Sequence, residues 1–251
     1  MSARHVLLHQ LADLRLPAMA RALEEQLGKP EIAALSFEER LGLLLDREKT
    51  ERTSRSFTQR LGKAKLRFTQ AAIEDLDLRG ERGIHRAQIL DLASCRWIEQ
   101  HLNLLITGKT GVGKTFLGCA MAHQACREGY TVLYRRMPEL FRELAIARSD
   151  GSHAMQLQRL IRADLLVLDD WGLHPFGDPE RRDLYEILED RYGIKSTIVM
   201  SQLACDVWHQ AIGDPTLADA ILDRLVRCAY TIDLTGESRR PKAANPGWEG
   251  R

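Results

Sequence analysis

Apolar residues recur along this chain with two different spacings. Short apolar runs of the kind that form buried strands occupy residues 102–106, 131–134, 165–169, 197–200 and 230–234. Between these runs the apolar residues lie three or four positions apart, as they do on one face of a helix. Strands and helices that alternate in this way predict an α/β fold with a five-stranded parallel sheet and helices on both of its faces.

The first 67 residues show the helical spacing alone. Pro17 is typical of a first helical turn, and Ser36 followed by Glu39 forms the pattern of a capping box. We therefore expect a small all-helical N-terminal domain over residues 1–67, an α/β core over residues 68–235 and a loose tail over residues 236–251. One more helix is expected over residues 86–97, directly before the first strand.

The stretch from residue 108 to residue 115 reads Gly-Lys-Thr-Gly-Val-Gly-Lys-Thr and lies between a predicted strand and a predicted helix. It matches the phosphate-binding pattern G-x-x-x-x-G-K-[ST], in which glycines turn backbone N–H groups toward phosphate and the helix N-terminus favours an anion. Lys114 supplies a cation for the β- and γ-phosphates. The residues expected to bind nucleotide are Gly108, Lys109, Thr110, Gly111, Val112, Gly113, Lys114, Thr115 and Phe116.

A second part of the site is expected where the apolar run 165–168 ends in Asp169 and Asp170. Asp169 and the Thr115 hydroxyl would hold Mg²⁺, and Asp170 would orient or deprotonate an attacking water. The alternative is a buried strand that ends in an acidic turn. It becomes the weaker interpretation in a chain that also carries a phosphate loop. The expected cofactors are ATP and Mg²⁺.

Two further polar positions are candidates for sensing the γ-phosphate. Ser201 and Gln202 follow the fourth predicted strand, at the sheet edge where ligands bind in such folds. Each is equally well explained as a solvated loop residue. Arg224 lies on a short predicted helix and could contact a γ-phosphate bound by a neighbouring subunit. Considered alone, it is more simply a surface arginine.

The chain carries a net charge of +1, so any nucleic-acid surface has to be local. Eight basic and two acidic residues lie between positions 47 and 67, a local net charge of +6. Such a helix could bind DNA phosphates without sequence preference, or it could be a solvated face or an oligomer contact. The candidate DNA contacts are Arg47, Arg52, Arg55, Arg60 and Lys63 here, and Arg135, Arg136 and Arg142 after the second strand. Ordinary helix surface is the alternative for the second set. Few aromatic residues lie among these cations, which favours duplex over single-stranded DNA.

The remaining composition indicates a cytoplasmic protein with no membrane partner. The five cysteines form no C-x-x-C pair, as expected for free thiols in a reducing compartment. No apolar run approaches the roughly 18 residues of a membrane span.

Three segments together resemble one family. They are residues 106–115, residues 164–172 with the sequence Asp-Leu-Leu-Val-Leu-Asp-Asp-Trp-Gly, and Ile-Leu-Asp-Arg-Leu at 221–225 followed by Gly-Glu-Ser at 236–238. With the Ser201-Gln202 pair and the basic N-terminal helix, they are similar to the IstB-like transposition helper ATPases. These are relatives of the DnaC helicase loader in the AAA+ class. The resemblance covers nearly the whole chain.

The resemblance implies a AAA+ P-loop ATPase core behind the helical N-terminal domain. It implies an ATP-dependent homo-oligomer that binds double-stranded DNA and assists a cognate transposase in selecting target DNA. Lys114, Thr115, Asp169 and Asp170 match the nucleotide site, Gln202 stands at a sensor position and Arg224 at that of an arginine finger acting in trans. No helical lid follows the fifth strand, so Arg227 is a candidate to replace a lid-borne sensor. A helicase loader, and a nucleotide-dependent clamp that hydrolyses little ATP, remain the alternatives.

Overall fold

A computed structural model of the protein describes residues 3–78 and 83–239. The strands are β1 (Asn103–Gly108), β2 (Val132–Arg136), β3 (Leu165–Trp171), β4 (Ser196–Ser201) and β5 (Ala229–Leu234). The helices are α1 (Ala3–Asp13), α2 (Pro17–Leu27), α3 (Phe37–Ala64), α4 (Arg86–Ala93), α5 (Arg96–Glu99), α6 (Lys114–Arg127), α7 (Met137–Asp150), α8 (His153–Arg162), α9 (Asp178–Arg191), α10 (Trp208–Ile212) and α11 (Pro215–Val226). Short 3₁₀ turns lie at Pro30–Ala34, Ile73–Asp75 and Cys205–Val207.

The five strands form one parallel sheet in the order β2-β3-β4-β1-β5. This confirms the predicted α/β fold. The ends of each predicted strand lie no more than two residues from those of an observed strand. The inner strands β1, β3 and β4 carry almost continuous buried apolar residues. Helices on both faces remove such strands from water, which explains why they read as apolar runs rather than as alternating patterns.

All the strands run in the same direction, so their ends define two edges. At the carboxyl edge the chain leaves β1 at Gly108, β3 at Trp171, β4 at Ser201 and β5 at Leu234. At the amino edge it enters the same strands from the ends of the preceding helices. The polar residues predicted after β1, β3 and β4 therefore gather at the carboxyl edge.

The chain divides into two compact units, an N-terminal unit (Met1–Gln59) and an α/β unit (Arg60–Arg251). In the N-terminal unit the predicted capping box at the start of α3 is present. The Ser36 hydroxyl accepts from the Glu39 amide at 3.2 Å, and the Glu39 carboxylate accepts from the Ser36 amide at 2.8 Å. The buried carboxylate of Glu48 accepts the amides of Ala18 and Met19, both at 2.9 Å, and so caps the first turn of α2.

The structure differs from the expectations at three places outside the sheet. The helix expected over residues 86–97 is two helices, because Cys95 takes a left-handed conformation with φ 58° between α4 and α5. The capping-box helix and the basic helix are one continuous element, α3. The tail was expected to be loose, but residues 236–239 contact the loop after β1, as described below, and the rest of it lies outside the described residues.

Among the described residues, no helix is both long and apolar enough to cross a membrane. Cys95, Cys119 and Cys126 are free and buried, and burial raises the pKa of each thiol to about 11 or 12. These thiols are therefore protonated and unreactive near neutral pH.

Candidate active site

The phosphate loop, residues 108–115, joins the end of β1 to the start of α6. Gly108, Gly111 and Gly113 have φ values of 138°, 87° and 107°, in the region that only glycine occupies without strain. Gly113 is the residue directly before α6. The unpaired N–H groups and the dipole of a helix N-terminus therefore lie at this loop, where they favour an anionic ligand.

Lys114 folds back onto the phosphate loop. Its Nζ donates to the carbonyl oxygens of Gly108 at 2.6 Å and Lys109 at 2.9 Å, and the residue is buried. Phosphate oxygens are stronger, charged acceptors for an ammonium group than neutral carbonyls are. The lysine is therefore already held at the loop, in contacts that phosphate oxygens can replace.

Asp169 lies next to the loop, as the sequence predicted. Its Oδ2 accepts from the Thr115 hydroxyl at 3.0 Å and from the Tyr134 hydroxyl at 2.7 Å, and the residue is buried. Burial and the adjacent Asp169 charge raise the pKa of Tyr134 well above its usual range, so the phenol stays a donor. The sheet places β2 beside β3, and this is why Tyr134 contacts Asp169.

Asp170 has a left-handed backbone with φ 60°, and its amide donates to Asp169 Oδ1 at 2.9 Å. Its own carboxylate is held by Arg136, whose Nε and Nη2 donate to Oδ2 at 2.9 and 2.7 Å. This hydrogen bond raises the pKa of Arg136. The carboxylate expected to act on water is thus engaged by a residue that we had expected on a DNA-binding surface.

The two candidates after β4 have different surroundings. Gln202 Oε1 accepts from the Thr110 hydroxyl of the phosphate loop at 2.5 Å. Ser201 is fully buried and its hydroxyl donates to the Trp171 carbonyl at 2.8 Å. Gln202 is therefore placed to contact a ligand in the loop, whereas Ser201 ties β4 to the end of β3.

These residues line one cleft of about 490 Å³ in the α/β unit. The apolar wall of this cleft includes Phe68, Leu76, Ile84 and Phe116. The rings of Phe68 and Phe116 lie 6.0 Å apart between centroids. A polar loop for phosphates beside an apolar wall of this size fits a nucleotide with its base on the aromatic side.

Arg224 lies at the other edge of the sheet. The Asn103 side chain, at the start of β1, donates to the Arg224 carbonyl at 2.9 Å, whereas the phosphate loop begins at the far end of the same strand. A strand of this length spans roughly 16 Å at about 3.3 Å per residue. The guanidinium is ion-paired with Glu189 and lies 5.7 Å from the centre of the Tyr185 ring. Arg224 therefore does not serve the nucleotide site of its own chain, and neither does Arg227, directly after α11.

The basic residues on α3 fall into two groups. Arg52 is paired with Glu48 at 2.7 Å and Arg55 with Glu51 at 3.1 Å, so both are engaged within the N-terminal unit. In the α/β unit, Arg60 donates to the Cys126 carbonyl at 2.9 Å. Arg47 and Lys63 are exposed and, within the described ranges, form no ion pair.

The basic residues after the second strand also separate. Arg135 is buried, pairs with Glu143 at 3.1 Å and donates to the Tyr134 carbonyl, so it contributes no exposed charge. Arg136 is engaged by Asp170. Arg142 is exposed on α7, at the rim of a smaller cleft that also contains Asp170. Of the three predicted DNA contacts, only Arg142 presents a free guanidinium among the described residues.

Sequence reasoning missed Tyr134 and the role of Arg136. Both lie at the end of β2, and β2 pairs with β3 so that Arg136 stands opposite Asp169. The order of the strands was the information that would have revealed them. It also missed the wall of the cleft at Phe68 and Leu76, which lies in a segment without regular periodicity.

The fold and the site together define the class. A parallel sheet with a phosphate loop after β1, an acidic pair near the end of β3 and a polar residue after β4 is that of a AAA+ P-loop ATPase. The crystal structure of DnaI superposes with a TM-score of 0.59 and 26% identity, covering 66% of this chain and 92% of that one. The DnaC helicase loader superposes with a TM-score of 0.56 at 20% identity, over 67% of this chain and 99% of that one, which shows the shared fold.

The chain belongs to the family described as IstB-like ATP binding protein, which matches residues 9–246. An insertion sequence ATP-binding protein of Sinorhizobium fredii is 51% identical over 94% of this chain and 96% of its own length. The ATP-binding protein of insertion sequence IS1162 from Pseudomonas fluorescens is 51% identical over 81% of this chain and 87% of its own. The chain accordingly binds ATP and is an ATPase.

Proposed function

We propose that this ATPase is an oligomeric DNA-binding helper that assists a cognate transposase in selecting target DNA during insertion-sequence transposition. The names of the relatives at 51% identity supply the setting, since both are insertion sequence ATP-binding proteins. One observation of the structure carries the oligomer. The ATP cleft and Arg224 lie at opposite edges of one sheet, so a complete site needs the cleft of one copy and the arginine of another.

Mg²⁺ is the metal that the site would hold. Thr115 and Asp169 present a hydroxyl and a carboxylate oxygen 3.0 Å apart, and Mg²⁺ prefers such hard oxygen ligands. The remaining positions would be filled by water and by phosphate oxygens. When bound, the ion would neutralise phosphate charge. Tyr134 donates to the same oxygen of Asp169 as Thr115 does and so helps to orient the carboxylate.

Asp170 is the residue proposed to act on water. Its left-handed backbone projects the carboxylate from the end of β3, beside Asp169. Arg136 donates two hydrogen bonds to Oδ2 of this carboxylate in the present arrangement, so that this oxygen is already engaged. Productive hydrolysis therefore requires Arg136 to shift away from Asp170.

Arg224 is proposed to act across a subunit boundary. Its guanidinium pairs with two exposed carboxylates, Glu189 and Asp223, donates to the Ala220 carbonyl of its own helix at 3.0 Å and lies against the ring of Tyr185. Exposed ion pairs of this kind are weak, so the guanidinium can be released at small cost. An arginine delivered to a γ-phosphate stabilises the charge that develops during phosphoryl transfer. Gln202, held by the loop residue Thr110, is proposed to sense the γ-phosphate within its own chain.

DNA would be bound by exposed cations that are not consumed by internal ion pairs. Arg47 in the N-terminal unit and Lys63 and Arg142 in the α/β unit meet this condition. Contacts of this kind bind the phosphate backbone, so they give affinity that depends on salt and not on sequence. Such work on cellular DNA would place the protein in the cytoplasm.

The test measures binding of the full chain to duplex and to single-stranded DNA over a salt series, with ADP, ATP and a non-hydrolysable ATP analogue. We expect assembly on duplex DNA only with the triphosphates. A clear preference for single strands, without triphosphate-dependent assembly on duplex, would favour a helicase loader and contradict the proposal.

Arg47→Ala and Arg55→Ala form a matched pair for the DNA surface. They lie on the same helix, but the guanidinium of Arg55 is engaged by Glu51. A plot of log affinity against log salt concentration has a negative slope, and each lost phosphate contact makes this slope less steep by about one. We expect that decrease for Arg47→Ala and a smaller one for Arg55→Ala.

The role with the transposase has its own test. Purified transposase is supplied with target duplex and either the wild-type chain or Lys114→Ala, which loses the phosphate-binding cation. Wild type with ATP should increase insertion and change the distribution of insertion sites. Equal insertion with wild type, with the variant and without either would contradict a helper role.

A further inference from the structure

The segment that follows β5 is packed on the phosphate loop. Gly236 turns the chain with φ 105°, and the Arg239 amide then donates to the Gly111 carbonyl at 2.9 Å. Ser238 lies so close that a Cβ on Gly111 would come within 2.1 Å of its hydroxyl oxygen. We call residues 236–239 the strap. Gly111 is therefore required by the strap as well as by its own backbone conformation.

The end of β5 makes a second contact of this kind. A Cβ on Gly108 would lie 2.2 Å from the carbonyl oxygen of Leu234. Two glycines of the phosphate loop thus have no room for a side chain because β5 and the strap run across them. Displacing the loop when a ligand binds, or when it leaves, must displace the strap.

Arg239 extends from the strap across the cleft. Its guanidinium is ion-paired with Asp77, which follows the 3₁₀ turn Ile73–Asp75 on the opposite wall. Both residues line the cleft, and their side chains are 46% and 41% exposed. The strap therefore spans the cleft from the phosphate loop to the apolar wall that contains Leu76.

We propose that the strap is the closure of the ATP cleft and that the Arg239–Asp77 pair retains bound nucleotide. Among the described residues after β5, the strap is the segment that crosses this side of the cleft. A half-exposed ion pair is weak and is screened by salt, so it can open each time nucleotide exchanges. Both partners are positioning residues. The Gly-Glu-Ser sequence at 236–238 thereby acquires a function as part of the strap.

The proposal rests on the ATP-binding half of the proposed function and is tested without DNA or transposase. The release rate of a fluorescent ATP analogue is measured by stopped flow on the full chain. We expect Arg239→Gln and Asp77→Asn each to accelerate release by up to about fivefold, the range for a half-exposed pair. Because both variants remove the same contact, the double variant should release no faster than either one. The charge-swapped variant, Asp77→Arg with Arg239→Asp, should restore slow release.

Two controls separate this contact from a general loss of charge. Arg96→Gln removes an exposed pair with Asp91 at 3.1 Å, which lies outside the lining of the cleft, and should leave release unchanged. Raising the salt concentration should accelerate release from the wild type and leave Arg239→Gln nearly insensitive, because only the wild type has a pair to screen.

Unchanged release in both single variants would overturn the proposal. Faster release in Arg239→Gln with slower release in Asp77→Asn would overturn it too. Arg239 would then bind phosphate directly, and Asp77 would compete with the phosphate for it. Additive effects in the double variant would show that the two residues act separately. Failure of the wild type to bind duplex DNA, together with accelerated nucleotide release in these variants, would reject the DNA role alone. Unchanged nucleotide release in the variants, together with DNA binding by the wild type, would reject the strap alone.

Discussion

Arg191 at the amino edge of the sheet and Lys114 at the carboxyl edge are both buried cations bonded to backbone carbonyls. Arg191 donates to the carbonyls of Leu160, Ile161, Ala163 and Ser196 and to the Thr197 hydroxyl. These acceptors belong to the segments that lead into β3 and β4. Burial lowers the pKa of Arg191, against the opposing effect of the Asp164 charge.

Other contacts at the amino edge follow the same pattern. Asp164 accepts from the Thr131 amide and hydroxyl and from Lys195 at 2.5 Å, so one carboxylate joins the starts of three strands. Asn103 donates to two carbonyls at the end of α11 and accepts from the Thr197 amide. Here polar side chains satisfy backbone groups that no ligand would satisfy.

At the carboxyl edge the polar side chains mostly hold one another. Thr115 and Tyr134 donate to Asp169, Arg136 to Asp170, and Thr110 to Gln202. A nucleotide with its metal can replace these contacts without leaving a backbone group unsatisfied. Saturation by backbone partners thus marks structural residues in this sheet, whereas pairs of side chains mark the site. Lys114 is the exception, a site residue whose carbonyl partners phosphate oxygens can replace. Arg224 lies at the amino edge, but its ion-pair partners Glu189 and Asp223 are exposed side chains and its backbone acceptor, Ala220, lies in its own helix, so it belongs to the second kind.

The largest effect is expected for Arg224→Ala. If this arginine completes a neighbour's site, its loss should reduce the ATPase kcat by about 10³-fold while ATP affinity is kept. Arg227→Ala is the control, since Arg227 is exposed nearby and paired only with Asp223 among the described contacts. Steady-state hydrolysis and nucleotide titration measure both quantities. Normal hydrolysis by Arg224→Ala would contradict the role.

Asp170→Asn should lower kcat by roughly 10²-fold, because removal of a general base costs about that much. ATP affinity and stability should change little, since Asp170 bonds a side chain and not the fold. Mixing this variant with Arg224→Ala should recover part of the activity, because one type of junction then combines an intact Asp170 with an intact Arg224. A mixture that assembles and stays inactive would indicate that Asp170 and Arg224 have to come from the same subunit.

Arg191→Ala tests the other side of the comparison. We expect a loss of about 3–5 kcal/mol in the free energy of unfolding, because several buried carbonyls lose a charged donor. Arg224→Ala should lose less than about 1 kcal/mol. Urea unfolding measures both, and Arg191→Lys, which keeps the charge but loses the planar fork, should fall between them. A small loss for Arg191→Ala would remove the distinction between the two edges.

The smallest effect is expected for Asp164→Asn, at about 1 kcal/mol near neutral pH. Burial raises the pKa of Asp164, but the hydrogen bonds from Lys195 and Thr131 lower it by a larger amount. The pKa of Asp164 therefore lies below its ordinary value. A carboxylate of this kind stabilises the fold at pH values above its pKa in the unfolded chain, about 3.9. This stabilisation is lost as the pH falls through the lower pKa of the folded state. Urea unfolding should show that the wild type and the variant differ less in their free energy of unfolding below pH 4 than at pH 7. A constant difference would exclude the ion pair as its source.

Much of the fold could be predicted because each strand of a doubly covered parallel sheet has to be apolar throughout. The run 165–168 needed no partner to be recognised as such a strand. The phosphate loop was also predictable, since its glycines and Lys114 perform their tasks within one short segment. Thr115 and Asp169 could be expected to meet because the loop and the acidic pair both follow strands whose ends share an edge.

The contacts that sequence reasoning could not predict join segments whose neighbourhood depends on strand order. Arg136 was expected on a DNA surface but is held by Asp170, because β2 pairs with β3. Arg135, which directly precedes Arg136 and stands opposite Leu168, is buried instead. The break at Cys95 likewise escaped detection, since a left-handed residue within a helical pattern leaves no periodic signal.

The sequence by itself determined the class of fold, the phosphate loop and the acidic pair, because these depend on local periodicity and on short motifs. Tertiary structure alone decided that Tyr134 orients Asp169, that Arg224 lies a strand's length from its own cleft, and that the strap crosses Gly111 to pair with Asp77. The physical reason is the same in each case. These contacts are set by which strands are neighbours and by where each one ends, and no local pattern of residues encodes either.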